Sequence, residues 1–380
     1  MSCAIEVVGS DGTFSPRDTI NGVVSVRLPT ETHINNISCS ITGKEKSAWS
    51  ITENIYNQRT KNFCTGIVYY TGENTLLSDS VILTSDADVD AGVHEYPFTY
   101  MLPRNIPNSY KSNYGSIEYK IHVVVHTKTG YEYEAEKLIS VKAPINFNDI
   151  RSELQLEPVA YQNEEVMWHC CYAGDPITMD LVLEREAFVV TEPICFKLDV
   201  NNKSSENIED INVTLTLVIE ATASNPRIAH RYEQILLNGA KIGKMRGGEK
   251  NIFPLKFEVP QTKEIPNFNG SSLFRQKCVL KAECLINDSE NTLDVQTEIK
   301  LGHIPIDTQR RPGRRHEPVR RVHSSGAINR PLGFNFFNSS NENIPSAPPI
   351  DRPSAPWKTT DDIDTLPPSY EEAMCKSKKE

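Results

Sequence analysis

The chain has 380 residues, of which 38% are hydrophobic, and a formal net charge of −10. This length exceeds what one ordinary core holds and predicts two domains, while the modest apolar content predicts that part of the chain stays outside any core. The acidic balance argues against a general nucleic-acid binder, because neutralising phosphates requires a basic surface.

The amino-terminal residues have neither a basic start nor an apolar stretch of signal-peptide length, since Asp11 and Gly12 interrupt them early. The sequence also lacks the run of roughly 18 consecutive apolar residues that a membrane-spanning helix needs. We therefore expect a cytoplasmic protein without a transmembrane segment, in which the nine cysteines stay reduced.

Alternating apolar and polar residues recur from about residue 23 to residue 301, and no long stretch has helical periodicity. Such alternation predicts half-buried strands of antiparallel sheets, and the Asn, Gly, Ser and Pro residues between them predict turns. The predicted core positions are Ile117, Tyr119, Ile121, Val123 and Val125, followed by 194–200, 213–219, 253–259 and 293–301. The chain is therefore predicted to be all-β.

The strand-rich residues fall into two blocks, 1–150 and 173–306. Between them, residues 151–172 include a polar stretch without sustained alternation, which predicts an interdomain linker. The alternative is one long sandwich, but residues 1–306 are more than a single sandwich usually holds.

The composition changes after Ile306, because Asn, Ser and Pro dominate residues 307–380. Such a segment cannot bury enough apolar surface to fold, so we predict a disordered, proline-rich tail. The tail begins with a basic cluster, Arg310, Arg311, Arg314, Arg315, Arg320 and Arg321. These arginines are consistent with binding to an anionic membrane surface, to which each would contribute about 1 kcal/mol of binding free energy. They are equally consistent with a solvated linker.

A Pro-Pro-x-Tyr motif lies near the carboxyl end, at Leu366, Pro367, Pro368 and Tyr370. Adjacent prolines favour a polyproline II helix, and Tyr370 lies one turn after Pro367 on the same side. The motif resembles the ligands of WW domains, in which proline packs between aromatic rings and tyrosine fills a second pocket. The other interpretation is an ordinary proline-rich tail.

Two copies of Pro-Ser-Ala-Pro precede that motif. They resemble the late-domain signal that the ubiquitin-conjugating-enzyme-variant domain of ESCRT-I binds, and duplication would favour rebinding. The alternative is a local duplication without function. The residues are Pro345, Ser346, Ala347 and Pro348, then Pro353, Ser354, Ala355 and Pro356.

The sequence contains no motif that supports an enzymatic function or a metal site. The sequence contains no Gly-rich phosphate loop, no Gly-x-Ser-x-Gly and no His-Glu-x-x-His. In Asp86–Asp90 the spacing fails the EF-hand pattern, and the adjacent cysteines of His169–Cys171 would point to opposite faces of a strand. Cys278 and Cys284 share a face but lie six residues apart. We therefore expect a non-enzymatic chain without a metal or cofactor.

Three neighbouring segments resemble the most recognisable part of the arrestin amino-terminal domain, in its α-arrestin branch. They are Gly92-Val-His-Glu-Tyr-Pro-Phe-Thr-Tyr-Met-Leu-Pro103, Ile106-Pro-Asn-Ser-Tyr110 and Tyr114-Gly-Ser-Ile-Glu-Tyr119. Upstream, residues Phe14–Gly22 are similar to the early strand and turn of that domain.

The second block resembles the arrestin carboxy-terminal domain at both of its ends, Cys170–Ile177 and Leu301–Ile306. The resemblance covers about residues 3–306 and implies two immunoglobulin-like β-sandwiches whose concave faces and loops would hold membrane-protein cargo. It places no buried charged polar core, of the kind found in visual and β-arrestins, on particular residues here.

The resemblance also implies a role for the tail. α-Arrestins with Pro-Pro-x-Tyr tails are adaptors that bring WW-containing HECT ubiquitin ligases to transmembrane receptors and transporters. The added Pro-Ser-Ala-Pro copies imply a link to ESCRT-I, and so to endosomal sorting or budding at the plasma membrane. The competing hypothesis is a receptor-coupled signalling scaffold that acts without recruiting a ubiquitin ligase.

Overall fold

The computed structural model describes residues 2–8, 11–59, 61–169, 172–286, 292–307 and 320–323. The chain divides into two units, residues 1–330 and residues 331–380, and every described residue belongs to the first.

The first β-sandwich consists of a three-stranded sheet in the order β1-β3-β6 and a six-stranded sheet in the order β2-β9-β8-β4-β5, in which β7 also pairs with β8. Its strands are β1 (Ser2–Val7), β2 (Thr13–Phe14), β3 (Thr19–Leu28), β4 (Thr32–Asn57), β5 (Asn62–Val89), β6 (Gly92–Met101), β7 (Tyr110–Ser112), β8 (Gly115–Thr127) and β9 (Glu132–Val141).

The second β-sandwich has two five-stranded sheets, β16-β13-β11-β10-β19 and β12-β18-β17-β14-β15. Its strands are β10 (Val159–His169), β11 (Tyr172–Leu183), β12 (Ala187–Val189), β13 (Ile194–Asn202), β14 (Ile208–Ala223), β15 (Ala229–Lys241), β16 (Lys250–Phe257), β17 (Phe274–Ile286), β18 (Thr292–Gly302) and β19 (Arg320–His323).

The predicted alternation is confirmed in four strands, whereas of the core positions predicted in 253–259 only Phe257 is buried and Phe253 and Leu255 are half-buried. In β8 the five apolar residues from Ile117 to Val125 are buried, while Glu118 is exposed between them. The same holds for the apolar positions of β13, β14 and β18. The prediction of an all-β chain with two sandwiches is therefore confirmed, and the single long sandwich is not observed.

The connection between the sandwiches is ordered by contacts of its own. Phe147 is buried beside Ala187 and Val189, and its ring lies where a side chain on Gly302 would have to be. The backbone of Ile145 accepts hydrogen bonds from the N–H groups of His303 and Ile304 at 2.8 and 3.1 Å. The short 3₁₀ helix Arg151–Glu153 follows in the same connection.

Two predicted irregular segments differ from the structure. Residues 159–169 of the predicted linker form β10, which pairs with β11 from Val159 to His169 and begins with the buried residues Val159 and Ala160. Within the predicted disordered tail, Arg320–His323 forms a short strand on the outer edge of β10. The other predicted tail residues from 308 onward lie outside the described ranges.

Within those ranges, no helix is both long enough and apolar enough to cross a membrane.

Candidate functional site

A two-stranded ribbon projects beyond the six-stranded sheet. Strand β8 pairs with β4 only as far as Ser47, whereas β4 and β5 continue to pair with each other up to Asn57 and Asn62. We call residues 49–57 of β4 and 62–70 of β5 the ribbon. Among the described strands none pairs with either outer edge of the ribbon.

One face of the ribbon carries large apolar side chains that are exposed. Phe63, Ile67 and Tyr69 alternate along β5 with exposed fractions of 69%, 61% and 69%, and Tyr56 lies directly opposite Phe63 with 50% exposed. The rings of Tyr56 and Phe63 meet edge to face with centroids 5.3 Å apart. We call these four residues the exposed row. Several large apolar side chains exposed on one face are typical of an interaction surface.

The opposite face of the ribbon is held at its base by aromatic packing. Trp49 stacks on Tyr70 with ring centroids 6.0 Å apart and meets the edge of Tyr114 at 6.3 Å. The Tyr70 hydroxyl donates a hydrogen bond of 2.7 Å to Glu53. The exposed row is therefore presented on a base of fixed orientation.

An arginine of the second sandwich completes this base. Arg227, between β14 and β15, donates to both carboxylate oxygens of Glu53 at 2.8 and 2.7 Å, and its guanidinium lies 5.5 Å from the centre of the Tyr70 ring. The hydrogen bonds from Tyr70 and Arg227 lower the pKa of the Glu53 carboxyl. We call Glu53, Tyr70 and Arg227 the clamp.

The backbone brings the clamp together. The N–H of Thr71 in β5 donates to the Asn225 carbonyl at 2.8 Å, and the N–H groups of Ser224 and Asn225 return to the Thr71 carbonyl, each at 3.0 Å. Ser47 adds a side-chain bond to the Thr222 carbonyl at 2.7 Å. The loop after β14 is thus fastened to β5 directly beside the base of the ribbon.

A buried carboxylate lies next to this contact. Glu45 of β4 is fully buried and accepts hydrogen bonds from five uncharged donors, four of which belong to the second sandwich. Its partners are Asn74 Nδ2 at 2.8 Å, Ser272 N at 2.9 Å, Ser272 Oγ at 2.7 Å, Leu273 N at 3.3 Å and Ser271 Oγ. Both sandwiches therefore meet around one negative charge.

The pKa of Glu45 reflects two opposing effects. Burial raises the pKa, because a charged carboxylate loses its hydration, but the hydrogen bonds from Ser271, Asn74 and Ser272 outweigh burial and lower it below the ordinary value. Glu45 is consequently held as a carboxylate, with neutral hydroxyl and amide groups in the place of a countercharge.

Aromatic rings continue the contact between the two sandwiches beyond Glu45. We call the residues around Glu45, together with Tyr110, Phe268 and Phe274, the junction. Tyr110 of β7 packs edge-on against Phe268 and Phe274, with ring centroids 4.9 and 5.4 Å away. Its hydroxyl donates a 3.0 Å hydrogen bond to Glu233 of β15. The N–H of Asn108 donates to the Asn267 carbonyl at 2.8 Å. These contacts hold the two sandwiches in one arrangement and so fix where the ribbon points.

Comparison with known families decides what this pair of sandwiches is. Residues 3–148 match the family described as "Arrestin (or S-antigen), N-terminal domain", and residues 173–306 match the family described as "Arrestin (or S-antigen), C-terminal domain". Together these matches cover more than half of the chain. The chain belongs to the arrestin family.

Similar arrestin-family proteins occur in animals. Human "Arrestin domain-containing protein 1" is 22% identical over 310 residues, which are 79% of this chain and 64% of the relative. "Arrestin domain-containing protein 17" of Caenorhabditis elegans is 21% identical over 297 residues, or 75% and 66%. "Arrestin domain-containing protein 15" of the same species is 22% identical over 174 residues, or 46% and 45%. The chain spans less than two thirds of the length of each.

The junction of this arrestin-family chain contains residues that the sequence analysis did not select. Glu45 was missed, although its strand carries a signal: Ile41, Gly43, Glu45 and Ser47 alternate on the core-facing side of β4. A carboxylate on a core face needs donors, and these come from residues distant in sequence. The exposed row was also missed, because apolar residues on both faces of β5 predict burial on both sides.

The predicted tail sites of this arrestin-family chain lie outside the described residues. This applies to Pro345–Pro348, Pro353–Pro356, Leu366–Pro368 and Tyr370, and also to Arg310, Arg311, Arg314 and Arg315. Arg320 and Arg321 are described and begin β19.

The cysteines considered for a metal site lie in the core of the second arrestin domain. Cys278 and Cys284 of β17 are buried, and burial raises the pKa of each thiol to about 12. Cys170 and Cys171 fall outside the described residues. The part of the chain that the structure describes contains no group of three or more His, Cys, Asp or Glu residues that could hold a metal ion.

Proposed function

We propose that this arrestin-family chain is a non-enzymatic adaptor that links transmembrane receptors or transporters to WW-domain HECT ubiquitin ligases and to ESCRT-I. It thereby promotes ubiquitin-dependent endocytosis, protein transport and sorting. The proposal rests on two features found in one chain. The pair of arrestin domains presents exposed apolar side chains on the ribbon, and the tail sequence contains Leu366-Pro-Pro-Ser-Tyr370.

The cargo-binding end is the ribbon. Its exposed row offers aromatic and aliphatic anchors, the residue types that dominate binding energy at protein interfaces. The clamp supports those anchors from the opposite face, so less conformational entropy is lost when cargo binds. Cytoplasmic segments of membrane proteins are the partners proposed for this surface.

The ligase-binding end is Leu366, Pro367, Pro368 and Tyr370. Adjacent prolines present a preformed polyproline II surface to an aromatic groove, and tyrosine adds a second anchor. Binding here would carry a HECT ligase to whatever cargo the ribbon holds, without catalysis by the chain itself.

The ESCRT-I contact is assigned to Pro345–Pro348 and Pro353–Pro356, with two copies so that a released domain rebinds. The basic cluster from Arg310 to Arg321 is assigned to anionic lipid of the inner leaflet. The adaptor would accordingly work in the cytoplasm, at the plasma membrane and at endosomes.

Calorimetry of the full chain with a WW domain tests the ligase contact. Tyr370→Ala is expected to remove measurable binding, whereas Ser369→Ala, at the variable position of the motif, leaves it unchanged. Binding that is insensitive to Tyr370→Ala would refute the assignment.

A cellular measurement tests the adaptor role as a whole. Ubiquitination and downregulation of a bound receptor should fall when residues 340–380 are removed. Downregulation that survives this truncation would instead favour the signalling scaffold, in which the arrestin domains act without a ligase.

The ESCRT-I contact has its own control. Alanine at Pro348 and Pro356 together should remove binding of the ubiquitin-conjugating-enzyme-variant domain. Pro349→Ala, which lies just outside the first motif, should not. Equal binding by the two variants would contradict the assignment.

A further inference from the structure

The short strand β19 lies on the outer edge of the second sandwich. Residues Arg320–His323 pair in parallel with Val159–Gln162, in the register Val159 with Arg320 through Gln162 with His323. Without β19, strand β10 would be the edge of its sheet. An edge strand presents unpaired N–H and C=O groups, which can bind another extended segment.

The edge of β10 is held firmly from the inside. Val159 and Ala160 are buried, and the Tyr161 hydroxyl donates a 2.5 Å hydrogen bond to Glu186. The side-chain amide of Asn163 donates to the Asp294 carbonyl of the opposite sheet at 2.6 Å. The edge therefore keeps its shape independently of what pairs with it.

The strand that covers this edge is small compared with the edge itself. β19 has four residues, whereas β10 has eleven. Among the described strands, none covers the outer side of β10 after Gln162. Each backbone hydrogen bond contributes only about 1 kcal/mol net, so a four-residue strand is weakly held.

The covering strand is also distant in sequence. β18 ends at Gly302 in the other sheet, and residues 303–319 separate it from Arg320. β19 therefore does not continue a hairpin from the preceding strand. It is a separate segment that remains connected to the domain by the chain and binds to the edge of β10. Charge favours this docking, because Glu157 precedes Val159 by two residues at the same end of the pairing where the added strand begins with two arginines.

We propose that the outer edge of β10 is a strand-addition site, which this chain occupies with its own segment Arg320–His323. The site takes an extended, basic peptide as a parallel strand, and the tethered segment blocks it by high local concentration. The occupant is residues 320–323, and the same sequence supplied as a free peptide binds once the tethered copy is removed. The pairing does not depend on the contacts proposed above for cargo, the ligase or ESCRT-I, and it assigns a second role to Arg320 and Arg321 of the basic cluster.

The first measurement is hydrogen exchange on the full chain. In the wild type, the outward-pointing amides of Val159–Gln162 should be protected. In a variant with Arg321→Pro and Val322→Pro they should exchange at least about tenfold faster. Successive N–H groups of a strand point to opposite sides, so one of two adjacent prolines must remove a donor to β10. Equal protection in both proteins would overturn the proposal.

The second measurement is fluorescence anisotropy with a labelled peptide of residues 317–326. The peptide should bind the double-proline variant at least about tenfold more tightly than it binds the wild type, and it should restore the protection of Val159–Gln162. A peptide with proline at both of those positions is the matched control. Equal binding to variant and wild type, or binding without restored protection, would refute the site.

A chain truncated after Val319 provides a second route to the same test. It lacks the tethered segment and contains no added proline. The test can therefore still be made if the double-proline variant fails to fold. The truncated chain should bind the peptide with the affinity of that variant. Failure to bind would overturn the proposal.

Discussion

Arg227 of the second sandwich binds both carboxylate oxygens of Glu53 in the first sandwich, at 2.8 and 2.7 Å. Glu53 also accepts the hydrogen bond from Tyr70, whose ring stacks on Trp49 at the base of the ribbon. The direction of the ribbon therefore depends on the second arrestin domain, although every residue of the ribbon belongs to the first.

Removing the clamp should loosen the ribbon more than it destabilises the chain. A double-mutant cycle with Arg227→Ala and Glu53→Ala should give a small favourable coupling free energy of unfolding, because Arg227 is largely exposed and water screens the pair. Hydrogen exchange in residues 53–70 should rise in either single variant. Arg104→Ala, which removes another exposed ion pair, to Asp149, is the control. Zero coupling with unchanged exchange would contradict this prediction.

Glu45 should contribute strongly to docking of the two sandwiches. Glu45→Leu leaves the N–H groups of Ser272 and Leu273 without an acceptor, so we expect a loss of about 3 kcal/mol in the free energy of unfolding, measured with urea. Glu73→Gln is the control, because the side chain of this exposed residue bonds only to lysines among its described partners and its loss should leave the urea midpoint nearly unchanged. Similar losses in both variants would argue against a special role for Glu45.

The contribution of Glu45 should depend on pH in one direction. Its pKa in the folded chain is lowered, so its stabilising effect is fully present above the ordinary value of 4.5 and is lost as the pH falls through the folded pKa. The difference in free energy of unfolding between the wild type and Glu45→Gln should therefore shrink as the pH is lowered from about 7 to below 4.5. A difference that is constant over this range would show that the carboxylate charge is not what the donors stabilise.

How far the sequence predicts this structure depends on whether the determining contacts are local. Alternation predicted β8, β13, β14 and β18, since one buried face leaves a period-two pattern in the chain itself. It did not predict β10, because the polar run from Gln162 to Glu165 interrupts the apolar residues in the middle of that strand. It did not predict β19 either, because four residues paired to a distant edge carry no periodic signal.

The candidate site was harder to predict for the same reason. The acceptor Glu45 and its donors Ser271–Leu273 are separated by more than two hundred positions in the sequence. The clamp likewise joins Glu53 to Arg227. Only the folded pair of sandwiches shows that these residues meet, whereas the tail motifs are contiguous and can be recognised without any fold.

The exposed row should bind cargo without supporting the fold. Phe63→Ser with Ile67→Ser should abolish receptor ubiquitination in cells and leave the urea midpoint nearly unchanged, because both side chains are mostly exposed. Ile82→Ser, at an equally exposed site of β5 outside the ribbon, is the matched control. If the control variant lost ubiquitination to the same extent, the ribbon would not be the specific contact.

Phosphorylation of Tyr370 should switch off the proposed ligase contact. A dianionic phosphate cannot enter a WW pocket that fits a neutral phenol, so a phosphotyrosine peptide of residues 362–380 should bind a WW domain at least about tenfold more weakly. The same peptide with phosphate on Ser377 instead is the control, because it adds equal charge outside the motif. Comparable weakening by both phosphates would mean that general charge repulsion, and not the tyrosine pocket, governs binding. Unchanged affinity of the phosphotyrosine peptide would reject the pocket assignment itself.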